Sequence, residues 1–235
     1  MFNPNPQISV IPLDAEHACY VVDDALLEPE RMVDHAVAHL AEFQVTGHNA
    51  YPGPELRMPD AISAQLDAFF AQHIRHLLGA RRTLRMYSRL AMVTFAPAAL
   101  EPRQWICHRD RFDLPSQECV GASVLYLFHD AGLGGTNFFV PKRSAFETDV
   151  LVHESGTIGR DAFARKYDIA PGYLTESNDW FEKVCSVPAQ WNRMIFYDGS
   201  RFHCSHIPSP ARLSADPRVG RLTLNGFFTC RKRAR

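Results

Sequence analysis

The sequence predicts an α+β protein with a mainly β core, helices packed on antiparallel strands, and three observations carry that prediction. Apolar residues recur at helical spacing in the first third of the chain. From about Arg82 the pattern changes to short runs of β-branched and aromatic residues parted by Gly, Pro, Asp and Ser. No helix-length pattern separates consecutive strands before Phe139, which argues against repeated βαβ units.

Taken in order, short apolar stretches at residues 8–13 and 20–22 precede the first helix. Glu28, Pro29 and Glu30 mark its start, since proline suits the first helical turn and acidic groups suit the positive end of the helix dipole. Its apolar face runs through Met32, Val33, Ala36, Val37, Leu40 and Phe43. A turn-rich segment at residues 46–59 holds Tyr51-Pro52-Gly53-Pro54. The second helix, residues 61–78, presents Ile62, Leu66, Phe69, Phe70, His73, Ile74 and Leu77 and stops at Gly79 as at a C-cap. Helices thus dominate the first third, a helical support region over residues 1–80. Strands follow at residues 84–95, 121–128, 137–140, 192–197 and 221–230. They make residues 81–235 a β core, and residues 1–235 a single domain. Residues 141–188 are less regular, with Gly156, Gly159, Pro171 and Gly172 and a short helical pattern at residues 160–167. So long a connection inside a compact domain reads as a lid or binding loop, with its centre at residues 146–183.

Composition removes several function classes. At 235 residues, 46% hydrophobic and 22% charged, the chain can bury a full core. A net charge of −1 gives no global field for nucleic acid or an anionic membrane, and the basic run Arg231-Lys232-Arg233 with Arg235 reads as a solvated end. No stretch approaches the ~18 apolar residues of a membrane span, and the start lacks a basic region followed by an apolar one, so a cytoplasmic protein is expected. The six cysteines form no Cys-x-x-Cys pair and read as reduced thiols. Cys107 and Cys204 each adjoin a histidine, where an exposed thiol beside a metal would be prone to oxidation. There is no Gly-x-Ser-x-Gly elbow and no glycine-rich phosphate loop.

His108-Arg109-Asp110 is an H-x-D pair, and on an extended strand residues two apart share a face, so imidazole and carboxylate can converge on one ion. With 11 histidines in the chain, chance alone supplies about 0.7 such pairs, so the context has to carry the argument. Downstream come a strand, Ser123-Val124-Leu125-Tyr126-Leu127-Phe128, and then Gly134-Gly135-Thr136-Asn137-Phe138-Phe139. Far beyond lie Asn192-Arg193, Ser200-Arg201-Phe202-His203 and the final strand opening Arg221-Leu222-Thr223. A paired His and Asp with one distant His make a two-His-one-carboxylate facial triad, which leaves three positions open on a ferrous ion for a co-substrate and dioxygen.

In this order of motifs, from Tyr51 to Phe228, the sequence resembles the 2-oxoglutarate/Fe(II)-dependent dioxygenases. It is most similar to the prolyl-hydroxylase-like branch and to an uncharacterised bacterial family of oxygenase-like proteins with Tyr-Pro-Gly near the front. The resemblance implies a double-stranded β-helix, a jelly roll backed by helices. It implies that His108, Asp110 and His203 ligate Fe(II), and that Arg221 grips the distal carboxylate of 2-oxoglutarate. Thr223 would assist Arg221, and Tyr126 would add a phenolic hydrogen bond or serve the core. The interval from His203 to Arg221 is long for the family, so Arg212 is a rival to Arg221, and His206 rivals His203. His129 and His153 read as structural or surface histidines. The implied activity consumes O2 and 2-oxoglutarate and hydroxylates a small molecule or a peptidyl side chain. Phe163, Tyr167, Tyr173, Trp180 and Phe181 either line the substrate entrance or pack the loop down. Two other readings compete: a cupin-like metalloenzyme indifferent to Arg221→Ala, and a non-catalytic β-barrel binding module that takes up no iron.

Overall fold

The structure is a computed structural model that describes residues 1–47, 50–110 and 114–233. A hairpin of β1 (Ile8–Pro12) and β2 (Ala18–Val22) leads to α1 (Glu30–Ala38), β3 (Glu55–Arg57) and α2 (Asp60–His73). The long strand β4 (Ala80–Val93) is followed by β5 (Glu118–Tyr126) and β6 (Thr136–Pro141). Helices α3 (Ala145–Glu154) and α4 (Arg160–Tyr167) come next, then β7 (Phe181–Val187), β8 (Met194–Asp198), β9 (Phe202–Ser205) and β10 (Arg221–Lys232). The strands form two antiparallel sheets, one of order β1-β2-β8-β5-β10-β4-β3 and one of order β7-β6-β9. The protein is therefore α+β and mostly antiparallel β.

Strand β10 is the spine of the large sheet, paired with β4 on one side and β5 on the other. Its two-residue period sorts its side chains by environment. Leu222, Leu224 and Phe228 join the cluster formed with Leu66, Phe69 and Phe70 of α2. Arg221, Thr223, Asn225 and Phe227 instead face the cavity between the two sheets. Packing on the helix side is dense: Phe70 stacks on Phe228 with ring centroids 3.9 Å apart, and Ser63 meets Ser88 at 2.8 Å.

Several elements depart from the sequence expectation. The second helix ends at His73, because residues 74–79 close into tight turns in which Gly79 (φ +65°) is the left-handed residue before β4 and not a helix cap. The first helix ends at Ala38, and Leu40–Glu42 form a 3-10 turn. The first third is not purely a helical support, since β1, β2 and β3 lie within it and extend the large sheet at both edges. Strand β4 starts at Ala80, where exposed Arg81, Arg82 and Arg85 mask its alternation.

The insert at residues 141–188 is a packed layer. It contains α3, which opens on a capping box between Ser144 and Glu147, and the strand β7, neither of which was expected there. Phe163, Tyr167 and Phe181 are buried with Trp105, Phe139 and Phe202, and the indole N–H of Trp180 donates to Tyr167 O at 3.0 Å. Those four insert aromatics pack it down; Tyr173 packs against the edge of the same cluster and also lies beside the site. No helix among the described residues is long and apolar enough to cross a membrane.

Candidate metal centre

The site is assembled at the open edge of the small sheet. His203 in β9 pairs with Phe138 of β6 on one side. On the other it forms a single antiparallel bridge with His108, each N–H donating to the other's carbonyl at 2.9 Å. The H-x-D pair therefore lies on an isolated bridge and not on a regular strand, and the two-residue spacing still turns both side chains the same way. Asp110 is fixed one step on, where its N–H donates to Gly199 O at 2.8 Å in the turn between β8 and β9.

The donor atoms of His108, Asp110 and His203 lie within 4.8 Å of one another. Asp110 Oδ1 is 3.8 Å from His108 Nε2 and 3.7 Å from His203 Nε2. Both separations exceed hydrogen-bond length. They are close to the about 3–3.6 Å expected between neighbouring ligands that each sit about 2.1 Å from a shared ion. His203 Nδ1 lies 2.9 Å from Arg201 O, which places its proton on Nδ1 and leaves the Nε2 lone pair for a ligand bond. Asp110 Oδ2 is buried with no hydrogen-bond partner. Burial, then the neighbouring His203 and Arg89, holds the His108 pKa well below that of an ordinary imidazole. Burial likewise raises the Asp110 pKa, against the attraction of His203 and Arg89. A neutral imidazole beside a carboxylate short of positive charge is what a divalent cation completes, so these residues fit a metal.

Around this triad lies a cavity whose polar wall includes Tyr51, Arg89, Thr136, Arg221, Thr223 and Asn225. Arg221 is 1% exposed, and donates from Nε to Gly134 O at 3.1 Å and from Nη2 to Gly135 O at 2.7 Å. Nη1 makes no hydrogen bond among the described residues, leaving it for a ligand. The two acceptor carbonyls depend on glycine: a Cβ on Gly134 (φ +79°) would sit 1.8 Å from His206 O, and one on Gly135 would sit 1.9 Å from Val187 O. Thr223 Oγ1 lies 3.4 Å from the Tyr51 hydroxyl. Burial raises the Tyr51 pKa, against the pull of Arg221, so its hydroxyl stays protonated.

The remaining expected residues fall into place more plainly. Tyr126 is fully buried and bonds Thr136 Oγ1 at 2.8 Å, so it braces a cavity residue without lining the cavity. Arg212 lies outside, with a half-exposed side chain paired to Asp130 at 2.5 Å. His206 is not in the donor cluster; its N–H donates to Gly135 O at 3.0 Å. His129 stacks on Trp191, and His153 is exposed on α3. Cys107 is buried, and burial pushes the Cys204 thiol up to about 12, so neither is the exposed, oxidation-prone thiol of the sequence expectation. Tyr173 and Leu174 line a smaller pocket that shares Tyr51, His108 and Cys204 with the main cavity.

Arg89, Asn225, Tyr51 and Thr136 were given no role by the sequence. Asn225 carried a signal, because it continues the Arg221, Thr223 alternation. Arg89 carried almost none, since only the pairing of β4 with β10 brings it opposite Asn225.

The family model DUF6445, "Family of unknown function (DUF6445)", matches residues 4–228. No curated protein matches the sequence. Among solved structures, the non-heme alpha ketoglutarate dependent carbocyclase SnoK from nogalamycin biosynthesis is similar, with TM-score 0.52 and 15% identity over 92% of this chain and 80% of that one. The non-heme alpha ketoglutarate dependent epimerase SnoN from nogalamycin biosynthesis gives TM-score 0.48 and 12% identity over 92% and 80%. HygX from Streptomyces hygroscopicus, solved with nickel, 2-oxoglutarate and hygromycin B bound, gives 0.43 and 8% over 91% and 82%. At these identities the likeness, carried by SnoK, is one of fold.

Proposed function

The chain belongs to DUF6445, a family of unknown function, and we propose that it is an Fe(II)- and 2-oxoglutarate-dependent dioxygenase that hydroxylates a small molecule or a peptidyl side chain. The observation that carries this reading is the convergence of two imidazoles and an unpaired buried carboxylate oxygen in a cavity that also holds a buried arginine. His108, Asp110 and His203 would hold the ferrous ion, and Arg221 the distal carboxylate of 2-oxoglutarate. Bound there, iron and 2-oxoglutarate supply the oxidation of a C–H bond by dioxygen, with succinate and carbon dioxide as co-products.

The chain's own part is to bind, orient and exclude water. Asp110 contributes the negative charge that selects a cation over a neutral ligand. The hydrogen bond from Nδ1 to Arg201 O fixes the tautomer of His203, and Tyr197 packs edge-on against that ring at 4.7 Å, holding it in one orientation. Arg221 spends two N–H groups on backbone carbonyls and so presents a rigid guanidinium edge, with the Thr223 and Tyr51 hydroxyls beside it.

An anaerobic titration of metal-free protein with ferrous iron and then 2-oxoglutarate tests this. A weak visible charge-transfer band of a chelated keto acid is expected with the wild type. It should be absent in His203→Ala and weakened in Arg221→Ala. Iron uptake without any band would sink the 2-oxoglutarate claim in favour of a cupin-like metalloenzyme, and absence of iron uptake would leave a binding module.

A further inference from the structure

Arg89 lines both the metal cavity and an open groove of about 1230 Å³ bounded by Glu42, Gln44, Glu55, Arg57 and Tyr87. Its position at this junction is fixed from two sides. Nη1 donates to Glu55 Oε2 at 2.8 Å, and the guanidinium lies 4.7 Å over the Phe227 ring, which itself stacks on Tyr87 at 4.9 Å. Yet Arg89 Nε is buried without an acceptor. Directly across the strand pair, Asn225 is 6% exposed, lines the same cavity and makes no side-chain hydrogen bond among the described residues. A purely structural ion pair would not leave Arg89 Nε unmet, since a buried unsatisfied group costs about 1–3 kcal/mol, and the Asn225 amide opens onto the same cavity wall.

Resting on the dioxygenase reading, we infer that Arg89 and Asn225 form the substrate anchor, and that they take a carboxylate carried by a substrate lying between the groove and the metal. A carboxylate offers two acceptor oxygens, one for Nε and one for the Asn225 amide. Glu55 already balances the single positive charge of Arg89, so it would repel a phosphate dianion about twice as strongly as a carboxylate, and the anchor takes no more than one negative charge. The co-substrate is assigned elsewhere, to Arg221, which lies deeper and has its own hydroxyl neighbours.

The test uses the full chain loaded with Mn(II) and 2-oxoglutarate, so that the Arg221 position is filled. Phenylacetate, 3-phenylpropanoate and hexanoate are each titrated beside their primary amides, with binding read from paramagnetic relaxation of the probe protons. At least one acid should bind tenfold or more tightly than its amide. That preference should fall at least tenfold in Arg89→Gln and return in part in Arg89→Lys, while 2-oxoglutarate affinity changes less than twofold. Asn225→Ala keeps the ion pair with Glu55 intact and should weaken the acid severalfold, which guards against a folding defect in the Arg89 variants. Equal binding of acids and amides, binding of none, or an acid preference indifferent to Arg89 overturns the inference. So does loss of 2-oxoglutarate rather than of the acid in Arg89→Gln. Failure of the dioxygenase reading shows separately, as wild-type protein that takes up no 2-oxoglutarate whether or not the acids bind.

Discussion

Asp110 is held between stability and function. Its side chain is buried, its Oδ2 is unpartnered, and burial raises its pKa, so in metal-free protein at neutral pH the ionised carboxylate costs folding free energy. Asp110→Asn keeps the shape and removes the charge. The metal-free variant should melt higher than metal-free wild type, by about 2–4 °C for each ~1 kcal/mol relieved, while the rise in Tm on adding Mn(II) disappears. Calorimetry of both proteins with and without Mn(II) checks this, and a variant that melts lower in both conditions would show that the carboxylate is serving structure. Arg221 invites a different residue-scale test. Arg221→Lys keeps the charge but loses the planar fork and leaves a buried glycine carbonyl without its donor. Its 2-oxoglutarate affinity should fall at least tenfold, about 1.4 kcal/mol, with Mn(II) affinity unchanged by titration calorimetry.

Between residue and molecule, two turns hold elements to the site. The Gly134-Gly135 turn brings β6 close enough for its carbonyls to receive Arg221, and a Cβ on Gly135 would meet Val187 O of β7 at 1.9 Å. Gly135→Ala should therefore cost about 1–3 kcal/mol in denaturant melts and weaken 2-oxoglutarate binding with it, since β6 and the guanidinium must move together. The β1–β2 turn is held by Asp14. Burial alone would raise its pKa, but the N–H groups of Glu16 and His17, the His17 ring and Arg201 outweigh that and bring it to about 2. A depressed folded-state pKa contributes stability above the unfolded value near 3.8, and that contribution is lost as pH falls from 3.8 toward 2. Discounted for its partial exposure, the contribution is about 1 kcal/mol. Asp14→Asn should thus melt below wild type at pH 6, and the gap should close by pH 2. These devices were unevenly visible in the sequence. The helix α4 and strands β5, β8 and β10 follow from their own periodicity. Helix α3, with Val150, Leu151 and Val152 in succession, has no clean helical period and declares itself only through the Ser144 and Glu147 cap. Helix α2 stops early because Ile74 and Leu78 pack against the core from a turn as readily as from a helix face.

Across the whole molecule, the large sheet separates two jobs. Its helix-facing side is a closed and mainly apolar layer, and its other side carries Arg89, Arg221, Thr223 and Asn225 into the cavity. That division explains what was legible. His108, Asp110, His203 and Arg221 could be picked out as candidates from a spacing of two, a strand start and the order of motifs that carries the family resemblance. The cavity partners Arg89 and Tyr51 depend on strand register and on the close approach of the Gly53 turn to β4, where a Cβ would meet Met92 O at 1.9 Å, and no local pattern encodes such contacts. The same division makes a prediction. Phe70 stacks on Phe228 beneath the sheet and touches nothing in the cavity. Phe70→Ala should cost about 3–5 kcal/mol of stability. If the sheet is a rigid partition, Mn(II) and 2-oxoglutarate affinities measured well below the melting range should stay within about twofold of wild type, because additivity holds for sites without shared partners. Affinities that fall in step with stability would show instead that packing on the helix side sets the register of β10, and with it the position of Arg221.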